Sequence, residues 1–145
     1  MKTVLITGGS RGIGKAMVKL FCEKGYKVVF TYKSSENEAK SLAESTGALA
    51  IRANSACEAD VNNAVKFAQD SFGQIDCLIN NAGISSFSLF TDLTLDEWNN
   101  HIAVNLTGAF LYSKAVIPGM VSRKSGRIIN ITSMCGIVGS SCEVH

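Results

Sequence analysis

The sequence predicts an α/β fold: a doubly wound parallel sheet with helices on both faces. Short, wholly apolar runs alternate with longer stretches whose apolar residues recur at helical spacing, a pattern typical of units that build a parallel sheet. In addition, the apolar run Val4–Ile6 leads directly into the glycine-rich segment Thr7–Gly14. A buried strand followed by a glycine turn and a helix indicates a site for the phosphates of a nucleotide.

Five apolar runs are the predicted strands, and each is apolar on both faces, so helices are expected on both sides of the sheet. The runs are Val4–Ile6, Val28–Phe30, Leu49–Ile51, Cys77–Ile79 and Ile128–Ile131.

Three helices are predicted between the first four strands. The first ends near Gly25, the second begins at the capping box Ser35-x-x-Glu38 and ends at Gly47, and the third stops at Gly73. The residues expected on their apolar faces are, in order, Ile13, Ala16, Met17, Leu20 and Phe21; then Ala39, Leu42 and Ala43; then Val61, Val65, Ala68 and Phe72.

A longer fourth helix is predicted from the capping box Thr94-x-x-Glu97 to about Met120, with Pro118 near its end. Its apolar residues occupy two faces, so one face is expected to cover the sheet and the other a partner subunit. The alternative for the second face is burial under more of the same chain. The faces are Ile102, Leu106, Phe110 and Ile117 on one side, and Val104, Leu111 and Ala115 on the other.

Composition indicates one domain, residues 1–145, of an ordinary globular chain. The net charge of +2 is too small and too evenly scattered to indicate a nucleic-acid or membrane partner. No stretch is long and apolar enough to span a bilayer, and the start does not read as a signal peptide, so a cytoplasmic protein is expected. The five cysteines include no C-x-x-C pair, which favours reduced, mostly buried thiols over disulfides or a metal site.

Two motifs carry a resemblance to a known family. The glycine spacing is G-x-x-x-G-x-G, at Gly8, Gly12 and Gly14, and the fourth predicted strand leads into Asn80-Asn81-Ala82-Gly83. With both, the chain resembles the short-chain dehydrogenase/reductase family, which has a Rossmann-type fold. The resemblance implies that the main chain of the glycine turn binds the diphosphate of a nicotinamide dinucleotide. The expected cofactor-binding residues of this turn are Gly8, Ser10, Arg11, Gly12, Ile13 and Gly14. It places Asn81, Ala82 and Gly83 beside the nicotinamide ribose and assigns them to holding the central strands together.

The end of the second predicted strand bears on the choice of cofactor. Enzymes that select NAD usually have a carboxylate there, but this chain reads Tyr32-Lys33-Ser34, and the first acid is Glu36. Arg11 and Lys33 can instead face a 2′-phosphate, with Ser34 supplying a hydroxyl, which favours NADP(H). The alternative is that both cations are merely solvated. By its position, Asn54-Ser55 resembles the family's Asp-Val step at the adenine ring, where an amide can still bond the adenine amino group.

The resemblance also implies catalytic residues. The family uses Asn, Ser, Tyr and Lys: Asn105 matches the Asn that holds a water in the proton relay, and Ser133 matches the Ser that hydrogen-bonds the substrate carbonyl. The alternatives are that Asn105 is a helical residue whose side chain bonds the backbone, and that Ser133 is an ordinary turn residue. The family's Tyr-x-x-x-Lys motif is absent, because the three tyrosines, Tyr26, Tyr32 and Tyr112, precede Ser133 and none has Lys four residues later.

The motif would fall just after His145, so we expect this sequence to be the front part of a longer reductase whose sheet has further strands. The sheet is then incomplete here, with about five strands and an exposed edge at Ile128, Ile129 and Ile131. A shortened chain that binds NADPH without turnover is the alternative. The full-length form is expected to be a homo-oligomer through the helix around Trp98 to Met120.

The implied reaction is hydride transfer between the nicotinamide and a carbonyl or hydroxyl group. Ser-Arg-Gly-Ile-Gly, Asn-Asn-Ala-Gly and Gly126-Arg127-Ile128-Ile129 are most similar to the family branch that reduces 3-oxoacyl thioesters on acyl carrier protein. The expected partner is therefore a small-molecule carbonyl compound or an acyl thioester. A remote alternative follows from G-x-S-x-G at Gly8 to Gly12: a serine hydrolase with Ser10 as nucleophile and His101 or His145 as base.

Overall fold

The computed structural model describes residues 1–142, which form one parallel sheet with helices on both faces. The strands are β1 (Thr3–Ile6), β2 (Lys27–Tyr32), β3 (Leu49–Arg52), β4 (Cys77–Asn80) and β5 (Arg127–Asn130). The helices are α1 (Gly12–Glu23), α2 (Glu36–Thr46), α3 (Glu58–Phe72), α4 (Leu95–His101), α5 (Gly108–Ser122) and α6 (Cys135–Val138), with a π-helical turn (Ile102–Thr107) between α4 and α5.

The strand order is β3-β2-β1-β4-β5, and every neighbouring pair is parallel. At the centre, Leu5 of β1 is in register with Val29 of β2 on one side and with Leu78 of β4 on the other. The chain reverses its winding direction between β1 and β4, and a crevice forms at such a point beyond the carboxyl ends of the strands. The predicted doubly wound parallel sheet is confirmed.

Two apolar clusters flank the sheet, one on each face. Helices α3 and α5 cover the first, which includes Leu5, Leu78 and Val61, while α1 and α2 cover the second, which includes Phe30 and Leu42. Burial on this scale is the main favourable term in folding, about 1.5–3 kcal/mol for each large side chain that leaves water. The expectation that helices would cover both faces is confirmed.

The outer strands are less buried than the sequence predicted. Leu49, Ala50 and Ile51 of β3 are only half-buried, because β3 lies at one edge of the sheet. At the other edge, Ile129 of β5 is 41% exposed and Ile131, just beyond the strand, is 40% exposed, as expected. Ile128 is half-buried and packs on the core beneath α5, so its expected exposure is wrong.

The apolar face predicted for α1 is partly wrong. Ile13 and Leu20 are 64% and 50% exposed, and Ala16 is also exposed, whereas Gly14 and Val18 are the buried positions. Gly14 packs directly on the backbone of the glycine turn, and this contact rotates the helix so that the face through Gly14 and Val18 meets the sheet. Met17 and Phe21 are half-buried on the flank of that face.

The predicted capping boxes had different outcomes. At α4 both bonds form, since Glu97 N donates to Thr94 Oγ1 at 3.2 Å and Thr94 N donates to Glu97 Oε2 at 2.9 Å. At α2 the Ser35 side chain makes no capping bond, because its backbone is not in the extended conformation that aims the hydroxyl at the first turn. The ends of α2 and α3 at Gly47 and Gly73 are confirmed.

The inward faces predicted for α2 and α3 are confirmed, with Ala43 and Phe72 half-buried at their margins. The buried residues of these helices are Ala39, Leu42, Val61, Ala64, Val65 and Ala68.

The predicted long helix is interrupted by the π-helical turn. Its two apolar faces are nevertheless present: Val104 and Leu111 are buried against the core, while Leu106, Phe110 and Ile117 are exposed. That a partner subunit covers the exposed face stays a prediction.

The cysteines are free thiols, but the expectation that most are buried is wrong, because all five are half-buried. Within residues 1–142 we find no helix whose length and apolar character would let it cross a membrane.

Candidate functional site

A cavity of about 690 Å³ opens where β1, β2, β3 and β4 end. Its volume lies in the usual range of cofactor sites, about 300–1,000 Å³. The structure brings every residue predicted to contact a dinucleotide to the wall of this one cavity. These residues are Gly8, Ser10, Arg11, Gly12, Ile13, Gly14, Tyr32, Lys33, Ser34, Asn54, Ser55, Asn81, Ala82 and Gly83.

The glycine turn fits a closely approaching anion. Gly8 has φ +66°, and a Cβ there would lie 2.9 Å from Ala82 Cα. A Cβ on Gly14 would collide with the Gly8 carbonyl oxygen, so the turn and α1 pack without any side chain between them. Gly12, with φ +52°, faces open space with no atom within 4 Å of a Cβ position. The main chain therefore leaves room for a diphosphate at the first turn of α1.

Thr7 and Asn81 tie the glycine turn to the end of β4. The buried Thr7 Oγ1 accepts from the backbone N of Asn81 and of Ala82, both at 2.9 Å. In return, Asn81 Nδ2 donates to Thr7 O at 2.9 Å and to Gly8 O at 3.1 Å. Asn81 thus holds the central strands together. The role of Thr7 was missed by sequence reasoning, although a buried threonine immediately before the turn was a signal.

Two cations line the cavity, Arg11 in the glycine turn and Lys33 just after β2. In residues 1–142, neither Arg11 nor Lys33 takes part in an ion pair, and both are exposed at the cavity. Glu36, the first acid after β2, is instead paired with Lys40 at 2.7 Å, and the hydrogen bond from Lys40 lowers the pKa of the Glu36 carboxyl. The two cations and the Ser34 hydroxyl can therefore meet an additional phosphate.

Asn54 and Ser55 follow β3 on the same wall. Asn54 N donates to Asp60 Oδ2 at 2.8 Å, and Asn54 Oδ1 accepts from Ala56 N at 3.2 Å. Ser55 is buried against α5, where a Cβ on Gly108 would lie 2.9 Å from Ser55 Cβ. Both residues are therefore held rigidly at the edge of the cavity.

A second cavity, of about 420 Å³, lies between α5 and the ends of β4 and β5 and is lined in part by Asn105. Asn105 Nδ2 donates to Ile84 O at 2.9 Å, and Ile84 N donates to Asn105 Oδ1 at 2.8 Å. Ser133 does not line either cavity, although its neighbours Ile131 and Thr132 line the second. The exposed Ser133 hydroxyl accepts from Cys135 N at 3.2 Å.

Among residues 1–142, two buried polar atoms at the second cavity have no hydrogen-bond partner: Asn80 Oδ1 and Tyr112 Oη. Asn80 Nδ2 donates to Asn130 Oδ1 at 2.8 Å, which joins the ends of β4 and β5 and was not predicted. Burial raises the pKa of Tyr112 to about 12, and the nearby hydroxyls of Thr31 and Ser55 only partly oppose that rise. Tyr112 is therefore a poor proton donor at neutral pH.

The hydrolase alternative gains no support from the described residues. Ser10 is buried at the glycine turn. His101 Nδ1 lies 2.8 Å from Glu97 O, and its Nε2 lies 3.4 Å from Ser86 Oγ, so this ring is engaged away from Ser10. The other candidate base, His145, lies outside the described residues.

Comparisons with known proteins agree with this geometry. The family model described as "short chain dehydrogenase" matches residues 2–145. A 3-oxoacyl-[acyl-carrier-protein] reductase of Synechocystis sp. is 42% identical over 99% of this chain and 60% of its own length. The Staphylococcus epidermidis protein of that name is 38% identical over 99% of this chain and 61% of its own length.

Among solved structures, a mutant of a Serratia marcescens short-chain dehydrogenase/reductase superposes with a TM-score of 0.84 and 37% sequence identity. The match covers 92% of this chain and 56% of that one. The present chain therefore spans about three fifths of the length of the curated relatives it matches.

Proposed function

Since the chain belongs to the short-chain dehydrogenase family, we propose that it binds NADP(H) for hydride transfer between the nicotinamide and a carbonyl or hydroxyl group. One observation carries the proposal. The open glycine turn at Gly12 and the cations Arg11 and Lys33, which form no ion pair with any described residue, line a single cavity. This arrangement suits a diphosphate and a further phosphate on one ligand.

Different residues bind different parts of the dinucleotide. The first turn of α1 binds the diphosphate, while Arg11, Lys33 and Ser34 bind the 2′-phosphate. Asn81, Ala82 and Gly83 form the wall beside the nicotinamide ribose, and the bond between Asn105 and Ile84 keeps that wall in place. When bound, the reduced cofactor supplies a hydride to the carbonyl carbon of the substrate.

The carbonyl oxygen must receive a hydrogen bond and a proton as charge develops on it. Ser133 is the proposed hydrogen-bond donor to that oxygen, and Asn105 the proposed holder of a water in the proton relay. The buried Tyr112 does not serve as the acid. Because residues 1–145 hold no Tyr-x-x-x-Lys, we expect binding by this chain alone with turnover about 10²–10⁴-fold below that of a chain including the motif.

For the substrate class we propose a 3-oxoacyl thioester, because the Synechocystis and Staphylococcus relatives carry that substrate in their names. We further propose that the protein works in the cytoplasm, and that the exposed face of Leu106, Phe110 and Ile117 packs against a second copy of the chain.

The proposal is tested by titrating the protein with NADPH and with NADH. In the double variant Arg11→Gln/Lys33→Gln, we expect NADPH affinity to fall by about 10- to 100-fold, because two charge-assisted bonds are lost. NADH affinity should change little. The matched control Lys2→Gln/Lys24→Gln removes two exposed cations away from the cavity and should leave both affinities unchanged.

Equal losses for both nucleotides would contradict the assignment of Arg11 and Lys33 to the 2′-phosphate. A parallel assay with a 3-oxoacyl thioester and NADPH, run on a chain that includes the Tyr-x-x-x-Lys motif, separates two outcomes. Oxidation of NADPH supports the reductase, while binding without oxidation supports the nucleotide-binding module.

A further inference from the structure

Arg52, the last residue of β3, reaches across to the segment that follows β2. It lies in register with Tyr32, the last residue of β2, and its Nε donates to the carbonyl oxygen of Lys33 at 3.1 Å. Ala53 N donates to Tyr32 O at 2.8 Å, so the ends of the two strands are joined by main-chain contact as well. A side chain of the edge strand thus holds the main chain at Lys33.

The bond from Arg52 ties the segment Lys33–Ser35, which lines the first cavity, to the neighbouring strand. Within residues 1–142, the other main-chain bonds of this segment come from near neighbours in the chain, such as the 3.1 Å bond from Glu36 N to Ser34 O. Such local bonds shape a turn but do not fix its position against the sheet. The position of Lys33 therefore depends on Arg52.

No carboxylate competes for the Arg52 guanidinium in the described part of the chain. Arg52 is exposed and forms no ion pair there. The acid at the start of α2, Glu36, is paired with Lys40 at 2.7 Å. The hydrogen bond and charge of Lys40 are the main causes that lower the pKa of the Glu36 carboxyl, and the charge of Arg52 adds to them. Arg52 is therefore available to the Lys33 carbonyl.

We propose that Arg52 is a positioning residue for the 2′-phosphate, because its bond to the Lys33 carbonyl keeps the side chains of Lys33 and Ser34 where that phosphate binds. The inference rests on the proposed function, which assigns the phosphate to this segment. Arg52 does not itself line the cavity among the described residues, so it acts through Lys33. A segment that is already in place loses less freedom on binding, which raises affinity. NADH has no 2′-phosphate, so its affinity does not depend on this positioning.

The test compares two substitutions that differ in one donor group. In Arg52→Gln, Nε2 is as many bonds from the main chain as Nε of arginine, so it can donate to the Lys33 carbonyl without carrying a charge. Arg52→Met has a similar length and no donor. In calorimetric titrations, we expect Arg52→Met to weaken NADPH binding by about three- to tenfold and Arg52→Gln by less than about twofold. NADH affinity should stay within about twofold in both variants.

Two further proteins serve as controls. Arg127→Met makes the same substitution at an exposed position at the start of β5, away from the cavity, and should leave both affinities unchanged. In a chain that already carries Lys33→Gln, adding Arg52→Met should weaken NADPH binding by less than about twofold, because the cation that Arg52 positions is absent.

Equal NADPH affinities of Arg52→Met and the native chain would overturn the role of Arg52 and leave the proposed function standing. Equal losses in Arg52→Met and Arg52→Gln would assign the effect to charge, and equal losses for NADPH and NADH would assign it to the whole cavity; either result overturns the positioning role. A native chain that binds neither nucleotide overturns the proposed function as well. Since Arg52 is exposed, its variants are expected to fold. Should Arg52→Met fail to fold, Arg52→Leu, which also lacks a donor, takes its place.

Discussion

Asn105 holds the main chain of Ile84 through both polar atoms of its amide, accepting at 2.8 Å and donating at 2.9 Å. Asn105 lies in the π-helical turn, and Ile84 directly follows the Asn81-Ala82-Gly83 wall. An amide supplies the required donor and acceptor side by side, which explains why Asn is suited to this position. π-Helical turns are frequent at functional sites, and here the turn carries the residue that fixes the wall of the cavity.

Replacing Asn105 tests this contact. Asn105→Asp keeps the acceptor but sets a carboxylate against the Ile84 carbonyl oxygen, so we expect a loss of about 1–2 kcal/mol in the free energy of unfolding. Hydrogen exchange at the Ile84 amide should become faster. Asn99→Asp, at an exposed position of α4, is the matched control. Unchanged exchange at Ile84 in Asn105→Asp would contradict the contact.

Substitution of Thr7 should lower the free energy of unfolding by more than the small size of its side chain suggests. Thr7→Val removes the only side-chain acceptor recorded for the backbone N–H groups of Asn81 and Ala82 within residues 1–142, and leaves both without that partner. The expected loss is about 2–4 kcal/mol of unfolding free energy, measured by urea denaturation. Thr7→Ser keeps the hydroxyl and should lose about 1 kcal/mol, from the missing methyl group. Similar losses in both variants would show that the hydroxyl is not the important group.

Tyr112 should make the stability of the protein depend on pH in the alkaline range. Its pKa is raised to about 12 by burial, so above pH 10 the unfolded chain loses the phenol proton while the folded chain keeps it. The folded state then binds more protons, and stability falls as pH rises from about 10 toward 12. Two pKa units correspond to roughly 2–3 kcal/mol.

The variant Tyr112→Phe isolates this contribution. It also removes a buried hydroxyl that has no hydrogen-bond partner in the described part of the chain, so its stability at pH 8 should equal that of the native chain or exceed it by up to about 1 kcal/mol. The stability advantage of the variant over the native chain, measured by urea denaturation, should grow between pH 10 and pH 12. A difference that is constant across this range would refute the raised pKa.

Some features could be predicted from sequence because they depend on local pattern. The apolar runs located all five strands, and the capping box at Thr94 and Glu97 was identified because local chemistry alone determines it. The face of α1 depends on a tertiary contact, the packing of Gly14 on the glycine turn, which overrode the pattern that favoured Ile13 and Leu20. Ser35 makes no capping bond because its backbone is not extended, a conformation that the capping-box pattern does not reveal.

For the candidate site, the motifs located the wall of the cavity, but not the bonds that hold it. The contacts of Thr7 with Asn81 and of Asn80 with Asn130 join residues far apart in the chain, and their partners are not visible in any short pattern. Nor does the spacing around Asn105 reveal a π-helical turn, because that turn departs from the helical period on which the prediction rested.

The exposed face of α5 provides a test of self-association. Phe110→Asp places a charge on the face proposed to meet a second copy, so the sedimentation coefficient should fall to that of a monomer. Leu20→Asp, at a similarly exposed apolar position on α1, is the control and should leave association unchanged. Association of the Phe110→Asp protein equal to that of the native chain would argue against this interface.

The central claim is that the glycine turn binds the diphosphate of a reduced nicotinamide dinucleotide, and calorimetric titration with NADPH tests it most directly. We predict one saturable site in the native chain and little or no binding in Gly12→Ala. That substitution puts a methyl group into the open cradle and costs about 1–2 kcal/mol of stability from its positive φ. A folded native chain that gives no heat with NADPH or NADH, or equal affinities in native and variant, would contradict the account.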